Sequence, residues 1–218
     1  MDNQYKDILY KVTDHFDYDS ICKNFLKLDN DLKNDEDLLL ALLKYDQRDW
    51  PSLYNVIPDK FKNDKNFVLK SLKNNGVSLK GVSINFKKDF EIVMTAVKTW
   101  GCALEYADQT LKDNEQIVKE AVQSHGMALK FANEKFKKNK NIVILAINCS
   151  KWQSGGLAFE YVDEIFKKDR DICLLAMKQF PGNWEFVDKS LKGDPEILEI
   201  AKTCPSYKLM QNEFGNYE

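Results

Sequence analysis

The chain has 218 residues, 44% hydrophobic and 30% charged, with 32 Lys and Arg against 34 Asp and Glu. That length supports a packed core without disulfides, and the near balance of charge gives no global attraction to nucleic acid or to an anionic membrane. No apolar run reaches the roughly 18 residues of a membrane span, and the start, MDNQYKDILYKV, lacks the apolar core of a signal peptide.

Residues 1–31 read as a divergent first unit, with YKDILYKV and SICKNFLKL as its helices. From Leu32 a four-residue word then recurs: LKND, FKND, FKKD, LKDN, FKKN, FKKD and LKGD, starting at Leu32, Phe61, Phe86, Leu111, Phe136, Phe166 and Leu191. The successive spacings are 29, 25, 25, 25, 30 and 25 residues, a period that marks a stacked repeat array. The first letter is always Leu or Phe, an expected core anchor. The second is always Lys: Lys33, Lys62, Lys87, Lys112, Lys137, Lys167 and Lys192. The fourth is Asp35, Asp64, Asp89, Asn114, Asn139, Asp169 or Asp194. These residue types cap helices, because a short side-chain oxygen accepts from the free amides of the first turn.

A first helix follows each cap, read as FVLKSLK at 67–73, IVMTAVK at 92–98, IVKEAVQ at 117–123, IVILAIN at 142–148 and ICLLAMK at 172–178. Apolar residues fall at i, i+1, i+4 and i+5, one face of a 3.6-residue period. A small residue stands mid-helix, at Ser71, Ala96, Ala121, Ala146, Ala176 and Ala201, where close approach of neighbouring helices requires it. Gly76, Gly101, Gly126, Gly156 and Gly182 are expected to end these helices in the left-handed conformation. A second short helix is expected next, at 102–111, 127–136 and 157–166, ending on the next anchor. Its terminal Lys suits the negative end of the helix dipole. Residues 195–214 read as a final, partly decayed unit, divergent because the end of a stack presents a polar outer face.

The pattern D-x-x-I-V-x-x-A-V-x-x-x-G-x-A-L-x-x-A, flanked by L-K, is clearest at Asp89–Lys112 and Asn114–Lys137 and extends from about Leu32 to Ala201. It resembles the family catalogued as domain of unknown function 4116. The resemblance implies an all-helical repeat and brings no catalytic residues. The Pro181-Gly182 pair and two insertions depart from the pattern. The expected fold is all-α: an α-solenoid of about seven short helical hairpins with a period of about 25 residues, forming a single domain over 1–218. In that reading 1–31 is the N-terminal cap unit, 32–194 the core repeats and 195–218 the C-terminal cap and tail.

Candidate chemistry is sparse. Cys22, Cys102, Cys149, Cys173 and Cys204 form no CxxC, which points to a reducing compartment rather than to a zinc site or disulfide framework. Cys102 and Cys173 share columns with Val, Met and Leu and read as core fillers. His125 precedes a loop glycine and is expected to be a partly exposed loop side chain. Glu105 with Asp108, and Glu160 with Asp163, read as solvated helix faces. The column Lys33 to Lys192, with Lys88, Lys138 and Lys168 beside it, offers a basic edge that could take phosphates.

The two insertions are the sharper signal. They fall around YDQRDWPS at 45–52 and NCSKWQSG at 148–155, in the same loop of the hairpin, and each carries a tryptophan. Insertions on one face of a solenoid mark a binding face, and Trp is enriched at interface hot spots. Trp50, Trp100, Trp152 and Phe180 are therefore the expected partner-binding residues. The bland alternative is that these rings close over helix ends. The function read from this pattern is a non-enzymatic protein-interaction scaffold, acting in the cytoplasm or in a host cytosol, with no cofactor or metal. The alternative is a binder of nucleic acid or anionic phosphate ligands through the lysine edge.

Overall fold

The structure is a computed structural model that describes residues 18–45, 53–149 and 154–205, without the side chains of 18–20 and 154–155. Among the described residues every element is helical and no strand occurs. The helices of seven or more residues are α1 (Tyr18–Leu26), α2 (Glu36–Leu43), α3 (Lys65–Asn74), α4 (Phe90–Thr99), α5 (Glu115–Ser124), α6 (Lys140–Ile147), α7 (Arg170–Gln179) and α8 (Pro195–Ala201). Packing divides the chain into two compact units, 1–111 and 112–218.

Each helix from α2 to α8 starts at its expected cap. Asp35, Asp64, Asp89, Asn114, Asn139, Asp169 and Asp194 have extended backbones, and each side chain accepts from the first free amides. Leu38 N–H, for example, donates to Asp35 Oδ1 at 2.9 Å, and Ile92 N–H to Asp89 Oδ1 at 3.1 Å. The i, i+1, i+4, i+5 face is buried from α2 to α7: Phe67, Val68, Ser71 and Leu72 on α3, for example, and Ile142, Val143, Ala146 and Ile147 on α6. The anchors Phe61, Leu111, Phe136 and Phe166 are buried as well, whereas Leu32, Phe86 and Leu191 are half-buried.

Two local expectations are corrected. The helix ends need no left-handed glycine. The residue before the glycine turns the chain by adopting an extended backbone, with φ of −155° at Asn75, −144° at Trp100, −154° at His125 and −151° at Phe180. Its N–H donates to the carbonyl of the small mid-helix residue, at 2.8 Å from Trp100 to Ala96 and 2.9 Å from Phe180 to Ala176. The second helix is also split. Six-residue 3₁₀ helices at Gly76–Gly81, Gly101–Tyr106, Gly126–Phe131 and Pro181–Phe186 come first. One extended residue, such as Ala107 or Ala132, follows, and after it a second Asp or Asn cap, except after Gly76–Gly81, where Ser83 stands in that place. The four-residue turns Gln109–Lys112, Glu134–Lys137 and Glu164–Lys167 come last. Where the second cap is present it favours the split, because Asp108, Asn133, Asp163 and Asp188 each accept from the amide two residues on, at 3.0–3.2 Å. That local bond competes with a continuous helix.

In the N-terminal unit α2, α3 and α4 lie side by side and point the same way. Lys70 in the middle of α3 reaches back to Glu36 at the start of α2 at 2.7 Å, and the N-terminal ends of α3 and α4 are tied by Lys65 to Asp89 at 2.8 Å. Their C-terminal ends are tied by Asn75, whose Nδ2 donates to the Leu43 and Lys44 carbonyls at 3.1 and 3.3 Å, and by Trp100 lying against Gly76. A Cβ on Gly76 would stand 2.9 Å from the Trp100 Cβ and would clash with the Ala96 carbonyl oxygen. The glycine is thus required by the neighbouring repeat rather than by its own backbone. Asp108 N–H also donates to the Lys87 carbonyl of the preceding repeat at 3.0 Å.

The C-terminal unit repeats these contacts. Lys140 pairs with Asp169 at 2.9 Å, and Arg170 with Asp194 and Glu196 at 2.7 and 3.1 Å. A Cβ on Gly156 would stand 2.5 Å from the Phe180 Cβ. The second-cap amides of Asn133, Asp163 and Asp188 donate to the carbonyls of Lys112, Lys137 and Lys167 at 3.0–3.1 Å. In both insert-bearing units the long helix is eight residues, two shorter than α3, α4, α5 and α7, and the inserted segments themselves fall partly outside the described residues.

Gly76→Ala is expected to destabilise the fold by about 1–3 kcal/mol through overpacking, whereas Gly193→Ala, with nothing within 4 Å of its added methyl, is expected to leave it unchanged. Urea denaturation of the two variants checks this. The caps also set an acid limit. The Lys140 and Arg170 hydrogen bonds hold the Asp169 and Asp194 carboxyls below their ordinary range; at Asp89 partial burial pulls upward, but Lys65 and the helix amides outweigh it. A depressed folded-state pKa contributes stability that is full above the unfolded value of about 3.9 and is lost as pH falls through the lower folded values. Stability should therefore fall below about pH 4. Asp169→Asn should lower it at neutral pH and flatten that fall in an acid titration followed by circular dichroism.

Candidate functional site

The lysine column turns inward. Lys87 is half-buried and its Nζ donates to the Lys80 carbonyl at 2.7 Å, capping the end of the preceding 3₁₀ helix. Lys137 and Lys167 pair with Glu134 and Glu164 at 2.6 and 2.7 Å, and the Lys167 ammonium also lies 5.9 Å from the Phe186 ring centroid. Lys192 is only 2% exposed and stands over the Trp184 ring at 5.1 Å. Burial pushes the Lys87 and Lys192 ammonium groups below the usual lysine range. Beside the column, Lys138 and Lys168 are exposed and reach the second-cap carboxylates Asp163 and Asp188 only at 3.7 and 3.9 Å.

The aromatic column has a packing role that periodicity did not reveal. Trp100 is half-buried against Gly76, with its indole Nε1 buried, and Phe180 lies on Gly156 and Gly182 while keeping 43% of its surface exposed. Asn75 and His125 occupy the same column. Trp50 also falls eleven residues before its anchor, as Trp100 and Phe180 do. Trp50 and Trp152 lie outside the described residues. The structure therefore places two of the four expected residues, each against the preceding repeat, and Phe180 is the more exposed of them.

Other candidate groups are structural. His125 is buried, at 7% exposure, not partly exposed as expected, because its column faces the neighbouring repeat. Asp108 and Asp163 are second caps, separated by an extended residue from the 3₁₀ helices that carry Glu105 and Glu160, so the expected shared helix face does not form. Cys102 and Cys173 are core residues as expected. Burial, with Asp169 and Asp188 nearby, pushes the Cys173 thiol up to about 12, and its Sγ donates to the Lys167 carbonyl at 3.2 Å. Among the described residues no group of three or more His, Cys, Asp or Glu could hold a metal ion. No helix among them is long and apolar enough to cross a membrane.

Sequence reasoning missed Asn183. It occupies a column held elsewhere by Ser78, Ala103, Ala128 and Ala158, and it is fully buried. Its Nδ2 donates to the Gly156 and Ala176 carbonyls at 2.8 and 3.0 Å, tying two repeats together, while Oδ1 is buried with no hydrogen-bond partner. An Asn in an alanine column was the available signal.

An all-helical chain whose elements recur with one internal register is a helical-repeat protein. The family model described as Domain of unknown function (DUF4116) matches it five times, over residues 47–80, 64–112, 114–167, 153–192 and 169–203, and the chain belongs to that family. No curated protein and no solved structure matches it.

Cys173 is expected to resist thiol reagents in the native protein and to react only on unfolding. Mass-spectrometric mapping of alkylation with and without denaturant checks this, and native labelling at Cys173 would contradict the buried environment.

Proposed function

We propose that the chain is an α-solenoid of about seven short hairpins that serves as a non-enzymatic protein-interaction scaffold. The observation that carries this reading is the repeated division of each hairpin into inward columns fixed by packing and outward columns free to vary. The inward columns comprise the caps, the i, i+1, i+4, i+5 face and the residues around the glycine. Within each compact unit the same ties join successive repeats, which supports stacking. The lysine column spends its ammonium groups on carbonyls, glutamates and aromatic rings of the fold. That weighs toward a protein partner and away from a phosphate polymer held by that edge. The proposed contact surface is the loop edge of Trp50, Trp152 and Phe180, with Trp100 contributing whatever part of its ring Gly76 leaves uncovered.

Cross-linking capture with mass spectrometry, run at low and high salt, tests the reading. A defined protein partner retained at high salt is the expected result, while only polyanions released steeply by salt would point to the phosphate reading. Trp50→Ala, Trp152→Ala and Phe180→Ala together are expected to abolish capture without lowering the melting temperature. A large drop in melting temperature would instead assign those rings to closing the hairpins.

A further inference from the structure

Pro181, Gly182 and Asn183 leave the repeat pattern at three successive columns. Pro181 stands where Gly76, Gly101, Gly126 and Gly156 stand, and Gly182 where Val77, Cys102, Met127 and Leu157 stand. Asn183 falls in the column of Ser78, Ala103, Ala128 and Ala158. Together they change where one ring lies. Phe180 meets the packing demand of its column through its Cβ, which a Cβ on Gly156 would approach to 2.5 Å. Its ring lies across Gly182 instead, where an added Cβ would stand 2.7 Å from Cζ and would clash with Cε1. After Trp100 and His125 the corresponding residues are Cys102 and Met127, whose side chains exclude that arrangement. Asn183 fixes the support, since its Nδ2 donates to the Gly156 and Ala176 carbonyls at 2.8 and 3.0 Å and so joins the two repeats on which Phe180 rests.

Phe180 keeps 43% of its surface exposed, whereas His125 in the same column is buried. Leu157, bonded to Gly156, is 41% exposed, whereas Cys102 in its column is buried and Val77 and Met127 are half-buried. The ring and Leu157 thus form an apolar step across two successive repeats of the C-terminal unit, and neither exposure is a demand of the repeat. Two carboxylates stand beside the step. Residues three apart eclipse on a 3₁₀ helix and are separated by about 6 Å along it. Glu160 therefore lies one turn beyond Leu157, and Glu185 one turn beyond Gly182 and the ring that covers it. Both are exposed, and neither is drawn into an ion pair among the described residues. The nearby cations are engaged elsewhere: Lys130 stands 5.2 Å from the Tyr161 ring centroid, Lys178 pairs with Glu196 at 3.2 Å, and Lys192 is buried over Trp184. In the preceding repeats the column of these glutamates alternates, as Lys80, Glu105 and Lys130, so two acids in succession occur at Glu160 and Glu185 alone.

We infer that this step docks a short basic segment of a partner protein, with an arginine on the Phe180 ring and Glu185, an aliphatic side chain against Leu157, and a second base at Glu160. A cation within about 6 Å of a ring centroid is attracted by the ring quadrupole. A guanidinium can stack on that face while its edge donates to a carboxylate, which an ammonium cannot do. The turn of about 6 Å between Gly182 and Glu185 brings ring and carboxylate within reach of one guanidinium. Packed helices lie about 8–10 Å apart, a distance that an extended segment covers in about three residues at 3.3 Å each. The arginine and the aliphatic residue are therefore about three positions apart in the partner. Two carboxylates without bases select a basic segment and repel an acidic one. The inference rests on the scaffold reading and deepens it by naming the chemistry that the Phe180 part of the loop edge recognises.

The test uses the full chain and labelled synthetic peptides, read by fluorescence anisotropy. One peptide carries two arginines with a leucine three positions from the first. A second has glutamates for the arginines, and a third has serine for the leucine. The basic peptide is expected to bind at least tenfold more tightly than the acidic one and severalfold more tightly than the serine one. Phe180→Ala keeps the Cβ that packs on Gly156 and is expected to weaken the basic peptide at least fivefold. The pair Glu160→Gln, Glu185→Gln, at exposed positions that hold no tie of the fold, is expected to abolish the preference for base over acid and keeps the test decisive if Phe180→Ala fails to fold. No saturable binding of the basic peptide, equal binding of the basic and acidic peptides, or binding unchanged by either variant would each overturn the inference. Partner capture decides the scaffold reading separately: a defined partner held equally well by the glutamine variant removes this recognition and leaves the scaffold standing.

Discussion

The constraint on which the structure depends is that a cap at the head of a long helix can answer to two repeats at once, as Asp89, Asp169 and Asp194 do. Its side-chain oxygen satisfies the amides of its own helix. Where it is an aspartate, its second oxygen is available to a base at the first helical position of the repeat before. Lys65 uses it at Asp89, Lys140 at Asp169 and Arg170 at Asp194. The chain places asparagine at the caps that follow Phe90 and Glu115, neither of which could form such a tie. Exposed ion pairs of this kind are worth at most about 1 kcal/mol each. Their role is registration of helix ends, while apolar burial supplies the energy that joins repeats.

With the N-terminal ends fixed in this way, the C-terminal ends are set by steric fit. The carbonyl of the small mid-helix residue is already engaged by the extended residue that ends the helix, and the glycine of the preceding repeat approaches that same carbonyl. Any side chain on Gly76 would push Trp100 and Ala96 away. The lysine carbonyl, receiving the second-cap amide of the next repeat, closes the third side. Two ends and a backbone bond together leave a repeat little freedom to slide against its neighbour.

Much of this was legible in the sequence because it is written in columns. A period of 25, an invariable cap and the i, i+1, i+4, i+5 face located the long helices from α3 to α7. What misled was chemistry that looks alike from outside. Glycine after a helix suggests a left-handed cap, yet here it serves close approach, and sequence alone cannot distinguish a strained backbone from a crowded one. The second Asp or Asn, three residues before Leu111, Phe136, Phe166 and Leu191, was visible but, at Asp108 and Asp163, read as part of a helix face, although it interrupts the helix. His125 looked like a loop side chain because its column was judged by its place in the hairpin. Its burial comes from the adjacent repeat, which a single hairpin does not reveal.

The same distinction explains why the candidate site was harder to read than the fold. A residue recurring in every repeat is, by that fact, answering a demand common to all repeats, and such demands are structural. The lysine column is the clear case: seven lysines in register suggested a ligand, but most of those described cap, pair or stack within the fold. Recognition of one partner requires the opposite property, a position whose residue type is set by no neighbour. Those positions are the outward columns and the inserted loops, where the chain departs from its own rule. In a protein built from one repeated instruction, agreement between copies records what the fold demands of every repeat, and a departure from it, such as Asn183 in a column of small residues, records a demand made at one place only.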